Sequence, residues 1–415
     1  MPFSELQNEL NRRAAQGLLR SRRTLESPQS PHIVVEGKPY LAFCSNDYLG
    51  LANHPQLVAA LQQSAAQYGV GAGAAHLVSG HFAMHQQLET ELAAFVNKPA
   101  ALLFSTGYMA NLGVVQALVG KGDTVFADKL NHASLNDAML LSRATVRRYR
   151  HGDMAQLAQL LEQAESGRKL VITDAVFSMD GDLAPLPELL ALCEQHDAWL
   201  LVDDAHGFGV IGEQGRGSLF NRKSPPAPLF QRGVSADARV HHPPLQKGGR
   251  GDFDLNSPRI IYMATLGKAA GVSGAFVAAE RVVIDTLINH ARSYVYTTAA
   301  PPALAGALLE SLRLIAQGDA LRVHLQQLIA QLRGGLRDLP WPLMPSATAI
   351  QPLLIGDNRA ALRLSDELRE RGIWVAAIRP PTVPQGTARL RITLSAAHSA
   401  GDVTRLIEAL HELAC

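Results

Sequence analysis

Between residues 100 and 280, short apolar runs alternate with windows of helical periodicity. Windows such as 154–165 and 186–196 carry apolar residues every three or four positions, which is typical of amphipathic helices. Because parallel strands need crossover helices, the alternation predicts an α/β fold with a mainly parallel central sheet and helices on both faces. The predicted strands lie at 101–104, 124–128, 145–149, 169–177, 199–206, 259–265 and 274–279.

After residue 295 the pattern changes to two long helical stretches, followed by strands and helices that end in a helix predicted from Asp402. This order is typical of a smaller α+β unit. We expect a helical arm and short strands over 1–50 that pack with the small domain, a large domain over 51–295 and a small domain over 296–415. The helical stretches cover about 302–337, and the strands lie at 349–356, 373–378 and 388–394.

Residues 221–254 break this order. The segment holds five prolines, four glycines and six lysines or arginines, with no sustained periodicity. A structureless stretch of this length is unusual inside a compact domain, so we predict a disordered surface insertion. A tolerated loop is the favoured interpretation, and a docking arm for an acidic partner is the alternative.

Composition limits the kinds of partner. The chain has 415 residues and a formal charge of +1, so its net charge gives no electrostatic field that would attract nucleic acid or an anionic membrane. The N-terminus interleaves apolar and charged residues and no apolar run reaches 18 residues, so no signal peptide or membrane span is predicted. The three cysteines lack CxxC spacing. We expect a soluble protein of the reducing cytoplasm, without a metal site or a nucleic-acid or membrane partner.

The stretch YMATLGKAAGVSGA, residues 262–275, places Lys268 among small residues directly after a predicted strand. A P-loop requires GxxxxGK followed by serine or threonine; Tyr262 stands five positions before Gly267, and Ala269 follows the lysine, which excludes that motif. Two interpretations stay open at this point. The lysine is a solvated surface charge, or it is desolvated and its neutral amine forms an imine with a carbonyl cofactor.

The run WLLVDDAHGFG places Asp203 or Asp204 at the C-terminal end of a strand, where open α/β sheets bind ligands. A buried carboxylate there would keep the ring nitrogen of a pyridine cofactor protonated and make the ring an electron sink. The alternative is a pair of acids that cap the next turn.

Two further features lie next to predicted strands. FSTGYMAN, residues 104–111, opens a helix, so Gly107 and Tyr108 would present N–H groups and a hydroxyl to an anion. His132 follows another strand and is either a satisfied structural histidine or a further site residue.

Six segments carry these residues in a fixed order, namely SNDYLGL (45–51), FSTGYMANLG (104–113), NHASLNDA (131–138), VFSMDGDLAPL (176–186), VDDAHGFGVIGEQGRG (202–217) and TLGKAAGVSGA (265–275). In order and spacing they resemble the α-oxoamine synthases, which are pyridoxal-phosphate enzymes of fold type I. The resemblance covers nearly the whole chain except 221–254. It implies a pyridoxal 5'-phosphate cofactor, C-acyltransferase activity and a homodimer with shared active sites.

The resemblance also implies a role for each matching residue. Lys268 would hold the cofactor as an imine and shuttle protons, while Asp203 would pair with the pyridine nitrogen. His206 would reach the phenolic oxygen, and His132 would stack on the exposed ring face and orient the substrate carboxylate. Further cofactor contacts are expected from Gly107, Tyr108, Ser178 and Thr265 and, from the second subunit, Thr297 or Thr298; substrate contacts are expected from Arg20, Asn46 and Thr382.

Within the family, residues 349–358 and 378–398 are most similar to the member that joins L-alanine to a pimeloyl thioester carried on coenzyme A or an acyl carrier protein. Siblings that use glycine or serine with another acyl thioester are the alternative, as is a cofactor-binding protein impaired by 221–254. Two departures stand out. The serine-rich turn of the family is replaced at 71–80, so hydroxyl contacts are expected to be missing there, and relatives have a short connector in place of 221–254.

Overall fold

A computed structural model describes residues 2–164, 167–221 and 255–414. Apart from Asn221, the predicted insertion at 221–254 lies outside the described residues and stays a prediction. Among the described residues, no helix combines the length and the apolar character needed to cross a membrane.

The N-terminal part consists of one helix and a β-hairpin. Helix α1 (Ser4–Ala15) buries none of its residues. Strand β1 (His32–Val35) pairs antiparallel with β2 (Lys38–Ala42).

The next part alternates strands with helices, as the apolar runs predict. The helices are α2 (Pro55–Tyr68), α3 (Ala83–Phe95), α4 (Gly107–Leu118), α5 (Ala133–Ser142), α6 (Met154–Glu162), α7 (Leu186–Gln195), α8 (Arg281–His290) and α9 (Arg292–Val295). The strands are β3 (Ala100–Phe104), β4 (Thr124–Asp128), β5 (Thr145–Tyr149), β6 (Lys169–Asp174), β7 (Trp199–Asp203), β8 (Ile260–Thr265) and β9 (Ala275–Ala279).

These seven strands form one sheet in the order β3-β9-β8-β7-β6-β4-β5. Strand β9 runs antiparallel to both of its neighbours, and the other four neighbouring pairs are parallel. The sheet is therefore mainly parallel, and the predicted fold class is confirmed. Strands β4, β6, β7 and β8 all end at one edge, which is where a ligand site is expected.

Both faces of the sheet are covered. Successive side chains of a strand point to opposite faces, and on β7 Leu200 and Val202 belong to one buried core while Leu201 belongs to another. Helices α4, α5, α8 and α9 supply the second core. Burial on both faces explains why these strands, except the edge strand β5, contain continuous apolar runs in the sequence.

The C-terminal part is a smaller α+β unit. Its helices are α10 (Pro302–Gln317), α11 (Asp319–Gly335), α12 (Asn358–Glu370) and α13 (Ala400–Glu412), and its strands are β10 (Ile350–Gly356), β11 (Ile373–Trp374), β12 (Ala376–Ile378) and β13 (Ala388–Thr393). β10, β13 and β12 form an antiparallel sheet. β11 instead pairs in parallel with β2, so the N-terminal hairpin and the small unit share a sheet.

Two local predictions were wrong here. The run 373–378 is not one strand, because the chain leaves one sheet and enters another on either side of the buried Val375. The last helix begins at Ala400 and not at Asp402. Ser399 caps this helix, since its hydroxyl accepts the Asp402 N–H at 3.1 Å while the Asp402 carboxylate accepts the Ser399 N–H at 2.8 Å.

Candidate active site

Lys268 lies in the turn between β8 and β9, and the small residues around it are required by close packing. Gly271 has φ +71°, and a Cβ there would lie 2.6 Å from the backbone carbon of Leu51. Ala269 and Ala270 are buried. The turn therefore packs closely against the end of SNDYLGL, and the lysine is the one charged side chain in the turn.

The amine of Lys268 contacts a histidine. Its Nζ lies 2.7 Å from Nε2 of His206. Desolvation lowers the pKa of Lys268 from 10.5 to about 8, although the nearby carboxylate of Asp203 acts in the opposite direction. The amine is thus far easier to deprotonate than that of a surface lysine, which favours the desolvated interpretation.

His206 is held from its other side by a buried tyrosine. Its Nδ1 lies 2.5 Å from the hydroxyl oxygen of Tyr48, and that hydroxyl donates to the Asn46 side chain at 3.2 Å. Burial lowers the pKa of His206 well below its usual value, and the positive charges of Lys268 and Arg391 lower it further. The ring is neutral at pH 7 and its orientation is fixed.

Asp203 ends β7 and is buried. One oxygen accepts from Nδ2 of Asn111 at 2.7 Å, and the other accepts from the Ala205 N–H at 3.0 Å. Asn111 is fully buried on α4, also donates to Ser134, and keeps an Oδ1 without a partner among the described residues. Asn111 holds the carboxylate in place, and each carboxylate oxygen keeps acceptor capacity for a further donor.

The neighbouring Asp204 has a different environment. Its oxygens accept from the Ser218 N–H and hydroxyl, both at 2.6 Å, and from the Tyr262 hydroxyl at 2.8 Å. Burial raises its pKa to about 6. The chain's own donors saturate this acid, so its role is to hold the 204–218 loop on β8.

His132 lies at the mouth of the site. It precedes α5. Its ring Nδ1 lies 2.7 Å from the Ser134 hydroxyl, and its backbone N–H donates to the buried carboxylate of Asp174 at 2.7 Å. Desolvation lowers its pKa; Asp203 raises it and Lys268 lowers it. These charge effects are those of groups that lie close together, so Asp203 and Lys268 are near neighbours of His132.

The turn before α4 reaches the same space. Thr106 caps the helix by accepting the Met109 N–H at 3.2 Å, while the N–H groups of the first turn have no acceptor within the helix. A Cβ on Gly107 would lie 3.8 Å from Cβ of Thr265. The Tyr108 hydroxyl donates to Asp137 on α5. The ends of β8 and β3 thus flank a helix N-terminus suited to an anion.

Arg391, which lies on β13, was not among the predicted site residues. The residue is buried; its Nε donates to the Ser178 carbonyl at 2.7 Å and its Nη1 to the Asn46 side chain at 3.2 Å. Within the described ranges, no carboxylate lies within ion-pair distance of it, and its charge acts on Lys268. The sequence feature that could have indicated Arg391 is RLR (389–391), which places two arginines on one face of a strand predicted to be buried.

Other predicted residues lie further from this group. Arg20 donates to the Thr382 hydroxyl at 2.9 Å, so these two exposed residues are brought together. Thr297 and Thr298 follow α9, and in the described part of the chain neither contacts Lys268 or Asp203. Their predicted contribution from a second subunit stays a prediction.

The site's donor set fits pyridoxal phosphate. The group needs an amine that loses its proton easily near neutral pH, an acid for its ring nitrogen and N–H donors for its phosphate. Lys268, Asp203 and the N-terminus of α4 offer these around one space. The neutral ring of His206 supplies a donor or acceptor next to the amine.

Comparison with known proteins agrees with this arrangement. The family model described as aminotransferase class I and II matches residues 38–410. The chain belongs to this family.

Curated relatives narrow the assignment. A protein of Nitrosomonas europaea named 8-amino-7-oxononanoate synthase is 58% identical over 412 residues, which is 99% of each chain. One of Nitrosospira multiformis with the same name is 59% identical and covers 98% of this chain and 95% of its own.

Solved structures show the same fold. A serine palmitoyltransferase from S. paucimobilis, with PLP bound, matches with a TM-score of 0.86 at 27% identity over 99% of this chain and 96% of its own. An 8-amino-7-oxononanoate synthase from Francisella tularensis matches with a TM-score of 0.71 at 30% identity over 90% of this chain and 97% of its own. The fold type I assignment, the resemblance to α-oxoamine synthases, the acyltransferase activity and the pyridoxal phosphate cofactor are confirmed.

Proposed function

We propose that this chain catalyses the decarboxylative condensation of L-alanine with a pimeloyl thioester, which gives 8-amino-7-oxononanoate, carbon dioxide and a free thiol. The name of the relatives supports these substrates by carbon counting. The methyl-bearing amine carbon is alanine without its carboxylate, and the remaining ketone chain is a seven-carbon diacid acyl group. The reaction belongs to biotin biosynthesis.

The buried guanidinium of Arg391 carries the proposal. It is a desolvated cation beside Lys268 and lacks a carboxylate partner among the described residues, so the carboxylate of an amino acid is the natural partner. Arg391 would hold that carboxylate while the amine and Cα of the substrate lie near Lys268. A bound pair of this kind places the reacting atoms before chemistry begins.

Pyridoxal phosphate, when bound, supplies a carbonyl that reacts with amines and a ring that accepts electrons from Cα. Asp203 would hold the ring nitrogen, His132 one face of the ring, His206 the phenolic oxygen, and Gly107, Tyr108, Ser178 and Thr265 the surroundings of the ring and the phosphate. Thr297 or Thr298 of a second subunit would complete the phosphate site, and Arg20, Asn46 and Thr382 would contact substrate.

Lys268 would carry the proton transfers. Its amine, with a pKa of about 8, takes the α-proton of alanine at Nζ. A bond then forms between Cα and the acyl carbon, the carbon–sulfur bond breaks, and the thiolate takes a proton. The carboxylate leaves as carbon dioxide, and Lys268 returns a proton to Cα.

A panel of substrates tests the proposal. Alanine, glycine and serine are each assayed with pimeloyl and shorter acyl thioesters, and products are identified by mass. We expect the largest kcat/KM for alanine with the pimeloyl thioester. Preference for glycine or serine would assign the chain to a sibling activity and overturn the proposal.

The thiol carrier is tested in the same assay. Coenzyme A and an acyl carrier protein present the same thioester, so pimeloyl groups on each are compared side by side. A carrier protein is a partner of this enzyme if it lowers KM relative to coenzyme A.

A further inference from the structure

Three histidines lie together away from the Lys268 site. His76 begins a helical turn, His81 follows that turn, and His85 lies in the first turn of α3. One ring nitrogen of each lies within 4.8 Å of the others. Nδ1 of His76 and Nδ1 of His81 are only 2.9 Å apart.

The second ring nitrogens of His81 and His85 have partners of the kind that metal-binding histidines use. Such histidines donate their second N–H to a carbonyl or a carboxylate, which fixes the ring. Nε2 of His85 lies 2.9 Å from the Ala300 carbonyl oxygen. Nε2 of His81 lies 3.4 Å from the Gln86 side-chain oxygen and 4.0 Å from the Glu89 carboxylate.

An aromatic contact fixes the His76 ring of this cluster, and a cavity gives an ion access to the cluster. The His76 ring stacks on Tyr294 with 5.0 Å between centroids and 10° between planes. A cavity of about 490 Å³ opens beside it, lined by His76, His81, Glu89 and Tyr294 among others and by no residue of the Lys268 site. An ion could therefore enter without passing the active site.

We propose that His76, His81 and His85 bind one divalent transition-metal ion, for which zinc is the chosen probe. Imidazole nitrogens suit zinc, and three of them leave coordination positions for water on the cavity side. Nitrogens of a tetrahedral zinc site lie about 3.3 Å apart. Nitrogens that lie up to 4.8 Å apart must therefore approach by up to about 1.5 Å, whereas those of His76 and His81, at 2.9 Å, must separate slightly. His85 must also exchange its hydrogen bond from the Phe82 N–H at 3.1 Å for the ion.

The ion would tie two parts of the chain together. His85 already holds the Ala300 carbonyl, and the Ala299 N–H donates to the Ala74 carbonyl at 3.0 Å. The segment between α9 and α10 would thus be fixed to the start of α3. Binding that favours the folded state raises the midpoint of thermal unfolding.

Zinc binding to the untagged, PLP-loaded enzyme tests this proposal. The enzyme is first treated with a chelator to remove bound metal, and zinc is then added. We expect about one zinc ion per chain to stay bound through gel filtration and the unfolding midpoint to be higher with zinc than without it. His81→Ala should weaken zinc binding at least about 100-fold and leave turnover unchanged. His290→Ala, at the exposed end of α8, is the matched control and should bind zinc as the wild type does.

Two outcomes would overturn the proposal. If the wild-type enzyme keeps no zinc, the site does not exist. If His81→Ala keeps as much zinc as the wild type, the ion binds elsewhere, for example near Lys268. Cofactor absorption and elution volume verify that the variant is folded. If His81→Ala does not fold, His76→Gln takes its place with the same two readings.

Discussion

Lys268 is the residue at which burial and charge compete most directly. Burial favours the neutral amine and the Asp203 carboxylate favours the charged one; burial dominates, so the pKa falls to about 8. The neutral form, which alone is a nucleophile, therefore grows as pH rises towards about 8 and changes little above about 9.

This protonation predicts how the apoenzyme takes up pyridoxal phosphate. Between pH 7 and 9 the capture rate should rise about ten-fold and then level off, whereas a lysine of ordinary pKa would give a rise of about 100-fold without a plateau. Stopped-flow absorbance measures the rate. The reaction of free N-acetyl-lysine with the cofactor in the same buffers corrects for the titration of the cofactor itself.

Arg391 gives a second prediction at this scale. Arg391→Lys keeps the charge but loses the planar fork that binds a carboxylate through two N–H groups. We expect the KM for alanine to rise about ten-fold or more, equal to about 1.4 kcal/mol, with a smaller change for the thioester.

Arg389→Lys is the matched control, because Arg389 lies on the same face of β13 and its charge is already paired with Asp180 at 2.7 Å. Its KM for alanine should stay near that of the wild type. Equal effects of the two substitutions would contradict the assignment of Arg391.

The residues of the site differ in how far the sequence could predict them. Lys268 and Asp203 lie next to apolar strands, and that local pattern singles them out. Arg391 reaches Asn46 across 345 positions of sequence, so no local pattern reports their contact. The three histidines give no cysteine spacing of the kind that indicates a metal site, and their rings meet only because the chain turns between them.

Among the secondary-structure elements, the strands that are buried on both faces could be predicted from the sequence. Every strand of the main sheet except the edge strand β5, which carries Arg147 and Arg148, contains a continuous apolar run that is recognisable in the sequence. Strands β11 and β12 were read as one because the sheet in which each of them pairs is decided by distant partners. Local propensity contains no information on that choice.

The turn that carries Lys268 gives a prediction for its supporting elements. Gly271→Ala places a Cβ at φ +71° and 2.6 Å from the Leu51 backbone, so the chain at the end of SNDYLGL must shift. We expect a loss of more than about 2 kcal/mol, seen as a fall of several degrees in the midpoint of thermal unfolding.

Gly334→Ala, on α11, is the control for this experiment. A Cβ there meets nothing within 4 Å, and alanine favours a helix, so stability should hold or rise slightly. A Gly271→Ala variant as stable as this control would show that the turn is not under the packing constraint described.

At the scale of the whole molecule, the predicted homodimer has a testable consequence for its active sites. If Thr297 and Thr298 serve the partner's site, a hybrid of Lys268→Ala with a Thr297→Ala/Thr298→Ala chain contains one intact site. Hybrid dimers purified through two different tags should then recover about half of wild-type turnover, although each parent is impaired. Hybrids no more active than the parents would place these threonines in their own chain's site.

The condensation itself is tested most directly with alanine labelled at its carboxyl carbon. With pimeloyl thioester, the account predicts one labelled carbon dioxide and one free thiol for each 8-amino-7-oxononanoate formed, and none of the three with Lys268→Ala. Thiol release without labelled carbon dioxide, or full turnover by Lys268→Ala, would contradict it.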